Sequence, residues 1–152
     1  MEISESQFDE FENNKRRRQL LPWWIKFFCW LFMLFGLLAI LCLILGFFGF
    51  SPSLAFYGFK TNQPLSLIGL LIVSIAILKG YTAYSLWFEK DFAVKLSKID
   101  AVIGIVTCLI TMFILPFLVG FDKIVFRLEI IFLIIFLVKI NKIEKDWKKV
   151  SI

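Results

Sequence analysis

The sequence predicts an all-α integral membrane protein: a four-helix bundle of two antiparallel transmembrane hairpins, both termini cytoplasmic, with an amphipathic helical extension at the C-terminus. Three observations carry that prediction. Of the 152 residues, 60% are hydrophobic, 19 are Phe and only 19% are charged. A soluble domain has about 45–50% apolar residues and about 25% charge. Four apolar runs approach or exceed the roughly 20 residues that a crossing helix needs. Finally, Lys and Arg gather on one side of those runs, as in cytoplasmic loops.

Residues 1–22 read as a flexible cytoplasmic segment. An acidic half (Glu2, Glu5, Asp9, Glu10, Glu12) precedes the basic cluster Lys15–Arg18. Beside a membrane span that cluster is expected to set topology and attract anionic lipid. Nucleic acid is not an expected partner.

The first span runs over 23–50, with Lys26 near its start. Its apolar run exceeds a signal-peptide h-region and no A-x-A site follows, so it is expected to stay as an anchor. At 1.5 Å per residue it is about 42 Å long against a core of about 30 Å, so it must tilt or project. The outer loop 49–64 mixes Phe50, Phe56, Tyr57 and Phe59 with Gly, Pro and Ser. Its expected place is the membrane interface, held there by its aromatic rings.

The second span covers about 65–88 and the third about 92–120, joined by a tight turn at Glu89–Lys90. The fourth covers about 121–140, and residues 141–152 form the basic tail. In that tail Ile140, Ile143, Trp147 and Val150 recur at helical spacing opposite Lys142, Lys145, Lys148 and Lys149. The pattern predicts a helix lying on the cytoplasmic membrane surface, apolar face down.

Orientation follows from the cations. Lys15, Arg16, Arg17, Arg18, Lys26, Lys90, Lys95, Lys98, Lys139, Lys142, Lys145, Lys148 and Lys149 fall on one side; Lys60, Lys123 and Arg127 fall on the other. Trp23, Trp24, Trp87 and Trp147 mark the same cytoplasmic boundary, where amphipathic rings anchor.

Several chemistries are excluded or unsupported. The chain has no His, so it has no His general base, no nucleophile–His pair and no HExxH zinc site. Cys29, Cys42 and Cys108 lie in apolar runs without metal or redox spacing, where Cys behaves as a small hydrophobe. No cofactor and no catalytic or metal-binding residue is expected, and the chain is not expected to be an enzyme.

The charges left within the spans are the candidate sites, because an ionisable group costs several kcal/mol there. Lys79 lies about 13 Å from the cytoplasmic end of span two. Asp100 is equidistant from the Glu89–Lys90 turn on span three, so the two share one depth and are expected to form an ion pair; separate snorkelling is the alternative. Ala76, Gly80 and Ala83 supply small residues for close helix packing, and Tyr81, Thr82, Tyr84 and Ser85 add hydroxyls nearby. Glu129 is a candidate buried carboxyl. A hairpin about Asp122 sets it beside Leu115, near the Met112 carbonyl that Pro116 leaves without a helical donor. Arg127, two positions from Glu129, is expected to snorkel outward.

Over residues 78–105 the chain is similar to small four-span bacterial membrane proteins of unknown function. The likeness rests on Gly80, Leu86 and Trp87 at the end of span two, a short charged turn, and Phe92–Ala93 opening span three. It implies paired helical hairpins and no particular activity. A Phe-, Ile-, Lys- and Asn-rich composition suggests an AT-rich bacterium, hence the inner membrane. The expected role is association, as an accessory subunit or homo-oligomer. A small transporter, channel component or membrane-perturbing effector using the intramembrane charges is the alternative.

Overall fold

A computed structural model describes residues 16–114 and 128–150. Its helices are α1 (Trp23–Phe47), α2 (Leu67–Trp87), α3 (Ala93–Leu109, continued by a π-helical turn Ile110–Ile114) and α4 (Glu129–Lys149). A two-stranded hairpin, β1 (Leu54–Phe56) and β2 (Phe59–Thr61), joins α1 to α2. The fold is therefore mostly helical, and this hairpin is an element the all-α expectation lacks. Helices α1, α2 and α3 with its π turn are long and apolar enough to cross a membrane.

Local chemistry sets the element ends. Proline cannot sit inside a helix but suits its start, and α1 begins directly after Pro22, whose carbonyl accepts from Lys26 N–H at 3.2 Å. It stops three residues before the expected end, in a turn where Gly49 takes φ +83°. The remaining 25 residues still give about 37 Å of helix. Helix α2 starts at a proper cap: the Ser66 hydroxyl accepts from Gly69 N–H at 3.1 Å. The α2–α3 connection turns through Glu89, with φ +58°, at the position the sequence predicts.

Helices α1 and α2 pack antiparallel and very closely. A Cβ at Gly80 would lie 3.0 Å from the Gly36 Cα and 3.3 Å from the Phe32 carbonyl oxygen, so only a residue without a side chain fits at the crossing. Ala76 packs with Ala39 and Val73 one turn further out. Helices α3 and α4 form the second antiparallel pair, and α2 and α3 join the pairs.

The Lys- and Arg-rich end of the bundle is closed by a single apolar cluster. Leu21, Ile25 and Cys29 meet Ala83, Leu86, Ala93, Val94, Ile140, Ile143 and Trp147. This changes two sequence expectations. The apolar face of the C-terminal extension docks on the bundle instead of lying on the bilayer: Trp147 is 1% exposed, and its indole N–H donates to the Lys90 carbonyl at 3.2 Å. Within the N-terminal segment expected to be flexible, residues 1–15 lie outside the described residues, but Arg17–Leu20 form a 3₁₀ turn against α4.

Arg17 is buried there. It donates to the Val150 carbonyl at 2.6 Å, the Glu89 carbonyl at 3.1 Å and the Asp91 carboxylate at 2.5 Å. Arg18 lies over the Trp87 ring at 4.6 Å. Two residues of the cluster read as lipid-facing thus tie three chain segments together, through the planar multi-donor geometry peculiar to Arg. At the same end Lys98 donates to the Glu144 carboxylate at 2.6 Å. Lys148 donates to its other oxygen at 3.0 Å.

The largest departure from expectation is the loop 49–64. It folds back between the helices instead of resting at the interface. Leu54 packs on Ala39, Val73 and Ala76, and Tyr57 joins Cys108 and Leu133. The tip reaches the level of Lys79, about 18 Å along α2 from its outer end. Irregular backbone is tolerated at such depth where protein or a cavity surrounds it, and both are present here.

Candidate functional site

The site is assembled where the re-entrant hairpin meets the buried charges. Phe56 pairs with Phe59 across a two-residue turn, with φ +45° at Tyr57 and +89° at Gly58. Positive φ at both central positions is the type I′ geometry that matches strand twist. Gly58 adopts it freely. A tyrosine there costs on the order of 1–2 kcal/mol, which is offset by burying the ring: Tyr57 is 7% exposed. The ring needs Gly104, where a Cβ would come within 2.9 Å of the Tyr57 hydroxyl and 3.1 Å of Leu133.

Lys79 and Asp100 are brought together. Lys79 Nζ donates to Asp100 Oδ2 at 2.8 Å, with side chains 4% and 5% exposed. The ammonium also sits over the Phe32 ring at 4.9 Å and the Tyr57 ring at 5.5 Å. Its positive charge is thus met by one carboxylate and two aromatic faces, from α1, α3 and the hairpin. Ala76, Gly80 and Ala83 are all buried in α2.

Glu129 differs from its expected position. It opens the described part of α4, is exposed, and has Oε2 3.9 Å from Cys108 Sγ. Cys108 stands seven positions before Leu115 in the sequence. The expected register about Asp122 and the roles given to Arg127, Leu115 and Pro116 fall outside the described residues. Thr107 and Thr111 donate to carbonyls of their own helix and do not join the site.

Between α1 and α4 lies a cavity of about 420 Å³, floored by α2 and α3 and bounded outward by the hairpin. Its walls are mainly aromatic: Trp24, Phe28, Phe32 and Phe35 from α1, Phe56 from the hairpin, Phe132 and Phe136 from α4. Polar groups enter at few points: Lys79, Asp100, Tyr57, Thr82 and Glu129. Direct contact between α1 and α4 is thin here. The Phe28 and Phe132 rings meet across the seam at 6.4 Å between centroids.

Comparison with protein-family models, curated proteins and solved structures gives no match.

Chemically, the arrangement is an apolar slot with a few convergent polar groups, of the size that holds small molecules. Sequence reasoning missed Tyr57, Gly36, Gly104 and the role of Arg17. For Tyr57 a signal exists: Tyr-Gly stands between two short alternating segments, Leu54–Phe56 and Phe59–Thr61. Gly36 and Gly104 are isolated glycines in apolar runs, whose partners depend on helix rotation.

Proposed function

We propose that this chain is a four-span membrane protein with both termini cytoplasmic, which binds an apolar, lipid-derived small molecule in the seam between α1 and α4 and does not transform it. The observation that carries the reading is the aromatic-walled cavity between two helices that barely touch, reaching the buried Lys79–Asp100 pair. A seam on the flank of a bundle gives a membrane-dissolved molecule a sideways path that needs no crossing of the polar surface.

Three further features support it. The antiparallel order of α1 to α4 and the cation distribution suit four crossings, with the Lys-rich end of α4 in the cytoplasm. The apolar stretch Ile130–Val138 lies beside α3, which the composition marks as a span. The small-residue stripe Ala76–Gly80 faces α1 within the chain, so it does not offer the association surface suggested by sequence alone. This favours the transport or carriage class over an accessory subunit. The implied setting remains a bacterial inner membrane, with anionic lipid at the basic cytoplasmic face and kinship to small four-span proteins.

Native mass measurement of the full chain, released from membranes in mild detergent, tests the reading. The expected result is a retained apolar adduct that is lost in Ala55→Trp, which fills the cavity from an exposed hairpin position. Absence of any adduct, together with failure to bind added apolar probes, would refute it.

A further inference from the structure

Six Ser and Thr residues lie within the described helices, and five of their hydroxyls are satisfied inside their own helix. Ser74, Ser85, Ser97, Thr107 and Thr111 each donate to a backbone carbonyl three or four residues earlier. That is the usual solution for a hydroxyl in an apolar helix. Thr82 does otherwise. Its Oγ1 is buried without a hydrogen-bond partner, alone in this among the described side-chain polar atoms. The residue is 2% exposed and lines the cavity.

We propose that Thr82 is the recognition group for the head of the bound molecule, and that this head is a single uncharged oxygen, a hydroxyl or a carbonyl, on a long apolar chain. The inference rests on the binding reading above and names the ligand class for that site. A buried hydroxyl without a partner is unfavourable, and a ligand oxygen within the cavity removes that penalty. Much of the lining is apolar, Ile25, Ala83 and Leu86 among it, so an apolar chain that carries one oxygen suits the cavity.

Charge selects against an ionic head. The Lys79 ammonium is already engaged by Asp100, Phe32 and Tyr57, so the pair is neutral as a unit. A carboxylate or phosphate brought into the slot would compete with Asp100, and one charge of the resulting triad would remain unpaired in an apolar medium. Glu129, the other carboxylate among the described lining residues, is exposed at the outer part of the seam and would recruit an amine. The chain length follows from the slot: Trp24 to Phe35 on α1 spans eleven residues, or about 16 Å.

The test uses the full chain in mild detergent and brominated probes of one chain length: an alkane, an alcohol, a methyl ketone, a carboxylate and an amine. Heavy-atom quenching of Trp24, which lines the cavity, reports binding, and Trp24→Phe identifies its share of the signal. The expected result is that the alcohol, the ketone or both bind about fivefold tighter than the alkane, as one net hydrogen bond predicts. The favoured arm distinguishes a hydroxyl lipid from a carbonyl one. Thr82→Val should abolish that preference, so that alkane and neutral-oxygen probes bind alike, and Thr82→Ser should restore it. Thr82→Val removes an unpaired polar atom without changing volume, so the variant is expected to fold. Equal binding of alkane and neutral-oxygen probes, or a preference that survives Thr82→Val, overturns the proposal while the binding reading stands. Tighter binding of the carboxylate or amine also overturns it, whereas failure of every probe to bind overturns both readings.

Discussion

Replacing Lys79 and Asp100 singly and together tests the central geometric claim. The pair is almost fully enclosed, with 4% and 5% side-chain exposure and an Nζ–Oδ2 distance of 2.8 Å. Removing one partner leaves an uncompensated charge, at a cost of about 3–5 kcal/mol. Lys79→Leu and Asp100→Leu should each lose that much. Replacing both leaves no buried charge and exchanges an ion pair for apolar volume, which is often neutral. The double variant does lose the ammonium's contacts over Phe32 and Tyr57, worth about 0.5–2 kcal/mol. Additive behaviour would give a loss of about 6–10 kcal/mol from the two singles; a coupled pair predicts about 0–2 kcal/mol. Reversible denaturant unfolding in detergent micelles, followed by tryptophan fluorescence, separates these outcomes. A double variant as unstable as the sum of the singles would refute the pairing, as would single variants as stable as wild type.

The other predictions concern parts of the fold that position the cavity. Gly80→Val should destabilise by about 1–3 kcal/mol or more through overpacking, since its Cβ would lie 3.0 Å from the Gly36 Cα; thermal unfolding measures this. Arg17→Ala should cost about 2–3 kcal/mol for bonds donated by a charged group and speed amide exchange over 143–150, and Arg17→Lys should not restore protection. Beyond the apolar stretch of α4, Glu144 is held down at about 2, chiefly by the Lys98 hydrogen bond and then by Lys148. Its contribution is therefore present above the ordinary carboxylate range and lost as pH falls from about 4.5 toward about 2. Unfolding measured across that window should slope in wild type and lose that part of the slope in Glu144→Gln.

How much of the site can be read from the chain depends on what links each pair of residues. Lys79 and Asp100 are legible because a tight turn at Glu89–Lys90 converts sequence separation into depth. Glu129 is not legible in the same way. No tight turn like Glu89–Lys90 ties its depth to α3 within the described residues, and α3 departs from α geometry over Ile110–Ile114, so counting along the chain does not bring Cys108 to it. The small residues Ala76 and Gly80 are visible as a stripe. What the stripe faces is not, since a neighbour within the chain and a second copy present the same pattern. The apolar face of the C-terminal helix is ambiguous for a related reason: the 3.6-residue period says that Ile143 and Trp147 share a side, and leaves open whether lipid or protein covers it.

Hydropathy, which acts through long continuous runs and needs no tertiary information, determined that this is a helical protein built for a membrane, with its cations gathered at one end. The Glu89–Lys90 hairpin determined which two buried charges share a depth. Only the tertiary structure decided that the loop 49–64 turns inward, that Arg17 holds three segments together at the cation-rich end, and that Thr82 lines a cavity. These depend on helix rotation and on contacts between residues far apart in sequence. Apolar composition is the same whether a side chain meets lipid, another helix or an open slot, so packing alone distinguishes them.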